Sequence, residues 1–129
     1  MTPLAHIRRA SAADIDKAAA ILSKADFIYL LGLRRAFPVT AYLAYALGKL
    51  GLRAQLIDQI GSLGPEQLAG ATSRDALVAV SFTPYTPTTI DLTRVAAASA
   101  APVIAITDSP FSPLGPSAKL QIEIVEADY

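Results

Sequence analysis

Apolar positions along the chain fall into two patterns: short unbroken runs, and longer stretches in which they recur every three or four residues. Such runs at residues 26–31, 76–81 and 102–107, and the more mixed segments 53–58 and 119–125, each predict a strand. The first is too uniformly apolar to be half-exposed, and such runs suit parallel strands covered on both faces. The helical stretches lie between them. Ser11 is placed to cap the first helix, with Asp14 favouring its positive end and Ile15, Ala18, Ala19 and Leu22 forming its inward stripe. Pro38 fits the first turn of the second helix, whose stripe is Val39, Leu43, Ala46, Leu47 and Leu50 and whose stop is Gly51. A short helix is expected from Pro65, and a longer one from Pro87 with Leu92, Val95, Ala96 and Ser99 on one face.

Strands and helices that alternate through tight connections predict an α/β fold. The right-handed crossover rule narrows this to a three-layer, doubly wound, flavodoxin-like five-stranded parallel sheet with helices on both faces. Residues 1–10 read as a lead-in and 11–129 as one domain. No closing helix is expected after the fifth strand, so one face of that strand is predicted to be bare or covered by a neighbouring chain. Tyr42 and Tyr45 lie off the stripe of their helix. Burial against a second subunit and further core packing would each explain them.

Two of the strands stop abruptly at loops that open a helix, and these loops carry the candidate chemistry. After the first strand come Gly32, Leu33, Arg34, Arg35, Ala36 and Phe37. After the third come Ser81, Phe82, Thr83, Pro84, Tyr85 and Thr86. Loops at the carboxyl ends of parallel strands, each feeding a helix N-terminus, make an anion pocket. Ser81, Thr83 and Thr86 offer three hydroxyl donors for phosphate oxygens, and Thr86 is also placed to cap the helix that follows. Arg34 and Arg35 oppose the helix dipole by a few tenths to about 1 kcal/mol each, a placement easier to understand with an anion between them and the helix. A third loop, residues 107–113, rims the same edge. Its Asp108 is placed to accept from sugar hydroxyls or to cap a turn, with Ser109 beside it, and its prolines suit a rigid, structural role.

Composition excludes several functions. Eleven basic and eleven acidic residues cancel, and no run of Lys and Arg exceeds two, so direct nucleic-acid binding is not expected. There is no cysteine and a single histidine, His6, so no metal site is expected, and no cofactor. The uncharged stretch 76–90 is interrupted by Pro and Thr and falls short of the roughly 18 residues of a membrane span. Arg8, Arg9, Asp14 and Asp16 do not fit a signal peptide, which makes a cytoplasmic location the expectation. Aldose–ketose isomerisation needs a carboxylate or histidine within reach of the substrate. Glu66 is the one weak catalytic candidate, at the start of a short helix, and no acid–base pair emerges. The pocket is equipped to bind rather than to react.

These segments resemble the SIS (sugar isomerase) domain, most closely the ligand-binding domain of RpiR-type bacterial transcription regulators. The resemblance runs from Ala25 to about Val125 and rests on residues 28–35 with the helix containing 44–47, on 81–86, and on 104–114, the most specific of the three. It implies a phosphosugar-binding domain that dimerises through helices and senses its ligand on behalf of a separate helix-turn-helix domain. The family's Ser/Thr phosphate loop falls on Ser81, Thr83 and Thr86, and the serine of its glycine-rich first loop falls on Ala36. Two departures follow: Ala36 lacks the hydroxyl, and Pro84 stands where the family commonly has glycine, removing an N–H. No helix-turn-helix segment is expected before Ser11. The readings that stand beside the sensor are a small phosphosugar isomerase using Glu66 as base and a degenerate SIS fold kept for dimerisation.

Overall fold

The computed structural model describes residues 12–124; Ser11, His6, the rest of the lead-in and Val125 lie outside them. The elements are α1 (Ala12–Lys24), β1 (Ile28–Leu31), α2 (Phe37–Lys49), β2 (Ala54–Ile57), α3 (Gly64–Leu68), β3 (Ala76–Val80), α4 (Pro87–Ala98), β4 (Val103–Thr107) and β5 (Leu120–Glu123). Short 3-10 turns at Arg34–Ala36, Ile60–Ser62 and Gly115–Ser117 complete them. The sheet has the order β2-β1-β3-β4-β5 and every pairing is parallel, as the flavodoxin-like expectation required.

Strand residues alternate between two cores. Ile28, Leu30, Val78, Val80, Ile104 and Ile122 face one side, where Ala18, Ile21 and Leu22 of α1 and Leu43, Ala44 and Leu47 of α2 pack on them. Tyr29, Leu31, Leu77, Ala79, Val103 and Ala105 face the other, against Leu68 of α3 and Leu92 and Ala96 of α4. β1 and β3 are buried at every position, the physical basis of their unbroken apolar runs.

Each of the three long helices buries part of its expected stripe, Ala18 and Leu22, Leu43 and Leu47, and Leu92 and Ala96, but is rotated so that other members of the stripe are exposed. In α1, Ile15 is exposed and Ala18, Ile21 and Leu22 pack inward. In α2, Val39 and Leu50 are exposed, Leu50 at 74%, because Ala36 and Thr40 take the buried positions and set the phase for Leu43, Ala44 and Leu47. In α4, Val95 and Ser99 are exposed while Thr89, Leu92, Thr93 and Ala96 are buried. The Thr93 hydroxyl donates to the Thr89 carbonyl at 2.7 Å, which hides its polarity within the helix. Gly51 ends α2 as expected: its φ is +78°, and the Leu52 N–H reaches back to the Leu47 carbonyl at 3.0 Å.

Gly32 fixes how closely α2 approaches the end of β1. A Cβ there would lie 2.8 Å from Thr40 Cγ2 and 3.0 Å from the Ala36 carbonyl oxygen. Thr40 is fully buried, so it has little room to yield. We expect Gly32→Ala to lower unfolding free energy by about 1–3 kcal/mol in denaturant titration. Thr40→Ser, which removes the nearer atom, should recover part of that loss in the double variant. An unchanged midpoint in Gly32→Ala would contradict the close approach.

Candidate functional site

In this strand order β1 has β2 on one side and β3 on the other. The chain leaves β1 for α2 on one face and leaves β3 for α4 on the opposite face. A crevice therefore opens at their carboxyl ends, the switch point where doubly wound sheets take ligands. A cleft of about 120 Å³ occupies it, lined by Leu33, Arg34, Arg35 and Ala36 from the first loop and Ser81, Phe82, Pro84 and Thr86 from the second. Sites that enclose a whole small molecule measure roughly 300–1,000 Å³, so this one suits a group of phosphate size. Three larger clefts, of about 200, 400 and 260 Å³, open at the opposite edge, all three touching Lys119. They contain none of the residues that converge at the switch point.

Four of the expected residues, Arg34, Arg35, Ser81 and Thr86, come together in the cleft. Ser81 forms its floor. The residue is 3% exposed, and its N–H is fixed to the Ile106 carbonyl at 3.1 Å. Its hydroxyl makes no hydrogen bond to any described residue. Thr86 occupies the N-cap position of α4 with extended backbone, but its side chain makes no capping bond, which corrects the expected cap. Arg34 stands exposed at the rim with φ +56°, a left-handed conformation that favours glycine, and forms no ion pair with any described residue.

Arg35 is committed elsewhere. Its guanidinium lies over the Phe82 ring, 5.5 Å from the centroid, and Nη2 donates to the Thr83 carbonyl. Thr83 is exposed and does not line the cleft. Its N–H donates to Asp108 Oδ2 at 2.8 Å, and the Tyr85 hydroxyl donates to Asp108 Oδ1. Burial by itself would raise the Asp108 pKa, but the bonds from Tyr85 and Thr83 outweigh it and hold the carboxyl below its ordinary value. Burial, followed by the bond to Asp108, pushes the Tyr85 phenol up. Asp108 thus latches the second loop to the end of β4. Each of its oxygens takes one of these bonds, in line with the structural role its loop suggested.

The other candidates lie outside the cleft. Gly32 is buried beneath it against Thr40. Ser109 serves its own loop, its hydroxyl accepting from the Phe111 N–H at 3.1 Å. Glu66 is exposed in the first turn of α3 and does not line the cleft. The structure adds Tyr85, which holds Asp108, Phe82, which lies under Arg35, and Thr89. Thr89 Oγ1 is the one buried side-chain polar atom without a partner among the described residues, and it sits in the first turn of α4. No signal in the sequence pairs Tyr85 with an aspartate 23 residues away. No cluster of three potential metal ligands occurs among the described residues, and no described helix is long and apolar enough to cross a membrane.

A family model, the SIS domain, matches residues 21–128. No curated protein matches the chain by sequence. Among solved structures, the sugar isomerase domain of the RpiR transcription factor from Sphaerobacter thermophilus superposes with a TM-score of 0.89 at 24% identity, covering 95% of this chain and 69% of that one. Vibrio vulnificus NanR, complexed with ManNAc-6P, gives 0.88 at 21% identity, with 96% of this chain and 47% of that one covered. A Methanococcus jannaschii protein, whose structure infers the function of a 3-hexulose-6-phosphate isomerase, gives 0.76 at 18% identity over 91% and 63%. At these identities the likeness bears on the fold, and the chain spans about half the length of NanR.

The latch has a pH signature. A carboxyl held below its ordinary value of about 3.9 stabilises the fold fully above that pH, and the stabilisation is lost as pH falls through the folded value. Asp108→Ala should therefore cost about 1–2 kcal/mol at pH 7. Thermal melts should show the gap to the parent protein narrowing as pH drops below about 4. A gap that stays constant to pH 3 would contradict the latch.

Proposed function

The chain belongs to the SIS domain family, and on that premise we propose that it is a phosphosugar-binding module acting as a ligand sensor, as in RpiR-type regulators. The observation that carries this reading is Ser81, a hydroxyl on a nearly buried residue at the floor of the cleft with no partner among the described residues. Ser81 lines the cleft, where a phosphate oxygen is a stronger acceptor for its hydroxyl than water. The rest of the lining supports an anion. Two arginines and, among the described residues, no carboxylate line the cleft. The first-turn N–H groups of α4 have no intrahelical acceptor. Ala36 offers no hydroxyl from the first loop, so cations stand where a neutral donor would.

Binding is favoured over isomerisation by what the cleft lacks. Moving a proton between sugar carbons needs a carboxylate or imidazole within hydrogen-bond reach. Among the described residues no such group lines the cleft, and Glu66 is on α3 outside it. The proposal includes self-association through α2. Val39, Tyr42, Tyr45 and Leu50 expose apolar surface along that helix, Tyr42 at 68%, more than the folded chain alone explains.

N-Acetylmannosamine 6-phosphate, the ligand held by Vibrio vulnificus NanR, is the first probe, followed by a panel of hexose and pentose phosphates. We expect calorimetry to detect binding of at least one, weakened about tenfold or more by Ser81→Ala, with no turnover of any. No binding across the panel would overturn the sensor reading, and turnover abolished by Glu66→Ala would replace it with the isomerase. For the α2 surface, light scattering should report a dimer that Tyr42→Glu with Tyr45→Glu converts to a folded monomer. An unchanged mass would remove the dimer from the proposal.

A further inference from the structure

The amino ends of the strands carry a second concentration of positive charge. Lys24 closes α1 just before β1, Arg74 precedes β3 and Lys119 precedes β5; because every strand is parallel, all three arrive at one edge of the sheet. There they line a single cleft of about 200 Å³ together with Ser73 and Pro102. Neither Lys24 nor Lys119 makes an ion pair with any described residue. Arg74 meets Asp26 at 3.5 Å, but both side chains are largely exposed, so solvent weakens the pair and leaves the arginine available. Asp75 is the one acid in the lining among the described residues. It is 7% exposed, and its Oδ2 accepts from the Thr72 N–H at 2.8 Å and the Thr72 hydroxyl at 3.1 Å, which ties it to its own loop. Three cations thus stand against one committed carboxylate.

A cleft of about 400 Å³ continues from the first, sharing Ser73, Pro102 and Lys119 with it. Its volume falls within the roughly 300–1,000 Å³ that holds a whole small molecule. Apart from Lys119 its lining is uncharged, and Ala97, Ala100, Ala101 and Ala118 make a shelf of small apolar side chains. Ala100 puts a methyl group on that shelf from the position just past the end of α4, with φ +65°, where glycine is the usual residue. We propose that this trough is a second binding site, for nucleoside diphosphates: the diphosphate lies among Lys24, Arg74 and Lys119, and the base lies along the alanine shelf. A diphosphate answers several cations at once, which a single neutral or singly charged group does not. A flat base gives the shelf an apolar face to cover, and its edge groups meet the hydroxyls of Ser73 and Ser117. The site shares no residue with the switch-point cleft, so it does not rest on the phosphosugar reading.

The test is calorimetry with ADP, GDP and CDP against pyrophosphate, at constant ionic strength and without divalent cations. At least one nucleotide should bind about tenfold or more tightly than pyrophosphate, the margin coming from the shelf. Lys119→Ala, at an exposed position both clefts share, should weaken that nucleotide about tenfold. Ala100→Asn fills the shelf with a residue that tolerates the left-handed backbone, and should weaken the nucleotide while leaving pyrophosphate unchanged. Ser81→Ala should leave nucleotide affinity within about twofold, since the two sites share no lining. Amide shifts on adding the nucleotide should fall on residues 73–75, 100–103 and 117–120. No binding by any of the three, pyrophosphate binding as tightly as they do, or a Lys119→Ala variant that binds unchanged overturns the inference and leaves the sensor reading standing. So does nucleotide binding lost in Ser81→Ala with shifts at residues 81–90, which would put the diphosphate in the switch-point cleft.

Discussion

β1 and β3 lie side by side in parallel register, from Ile28 opposite Ala76 to Leu31 opposite Ala79, with every residue of both buried. Their loops must nevertheless depart to opposite faces, because α2 covers one core and α4 the other. That pairing of adjacent strands with diverging exits holds the crevice open. Filling it with side chains would require the loops to turn the same way, which the two-sided core forbids. The anion chemistry therefore rests on the apolar alternation beneath it: Leu30 and Val78 facing one side, Leu31 and Ala79 the other.

A second layer of interactions stiffens the loops above this frame. Asp108 at the end of β4 takes hydrogen bonds from Thr83 and Tyr85, and Arg35 reaches across from the first loop to the Thr83 carbonyl and the Phe82 ring. The three strand-end loops thus form one unit, and residues that looked like ligand contacts divide into those that hold the site and those that face it. Asp108, Arg35 and the Thr83 backbone hold it. Ser81, Thr86 and Arg34 face it. Pre-organisation of this kind lowers the ordering cost of binding a small anion.

The central strands β1 and β3 were the most legible in the sequence, because burial on both faces leaves no ambiguity in an unbroken apolar run. Helix faces were legible only in part: Ala18, Leu22, Leu43, Leu47, Leu92 and Ala96 pack inward as expected, and their stripe neighbours do not. α4 buries Thr89 and Thr93 and exposes Val95, an arrangement that hydrophobicity misreads because the Thr93 hydroxyl is satisfied within the helix. In α2 the phase is set by Ala36 and Thr40 packing beneath Gly32, a steric fact with no signature in apolar spacing. At the site, the loop hydroxyls and arginines could be named from their places after strands. The use of Asp108 could not, since its partners are 23 and 25 residues away and depend on β4 lying beside β3.

The departures at Ala36 and Pro84 belong to the same picture. With no hydroxyl at Ala36, the first loop presents Arg34 and Arg35 to the cleft, and the hydroxyls that line it come from Ser81 and Thr86. The most direct test of the whole account is an amide chemical-shift titration of the protein with N-acetylmannosamine 6-phosphate, repeated with inorganic phosphate. Shifts concentrated at residues 33–36 and 81–90 are predicted, with the Ser81 and Thr89 amides among the largest. Shifts clustered instead around Ser73, Arg74 and Lys119 at the opposite edge, or none at all, would contradict it.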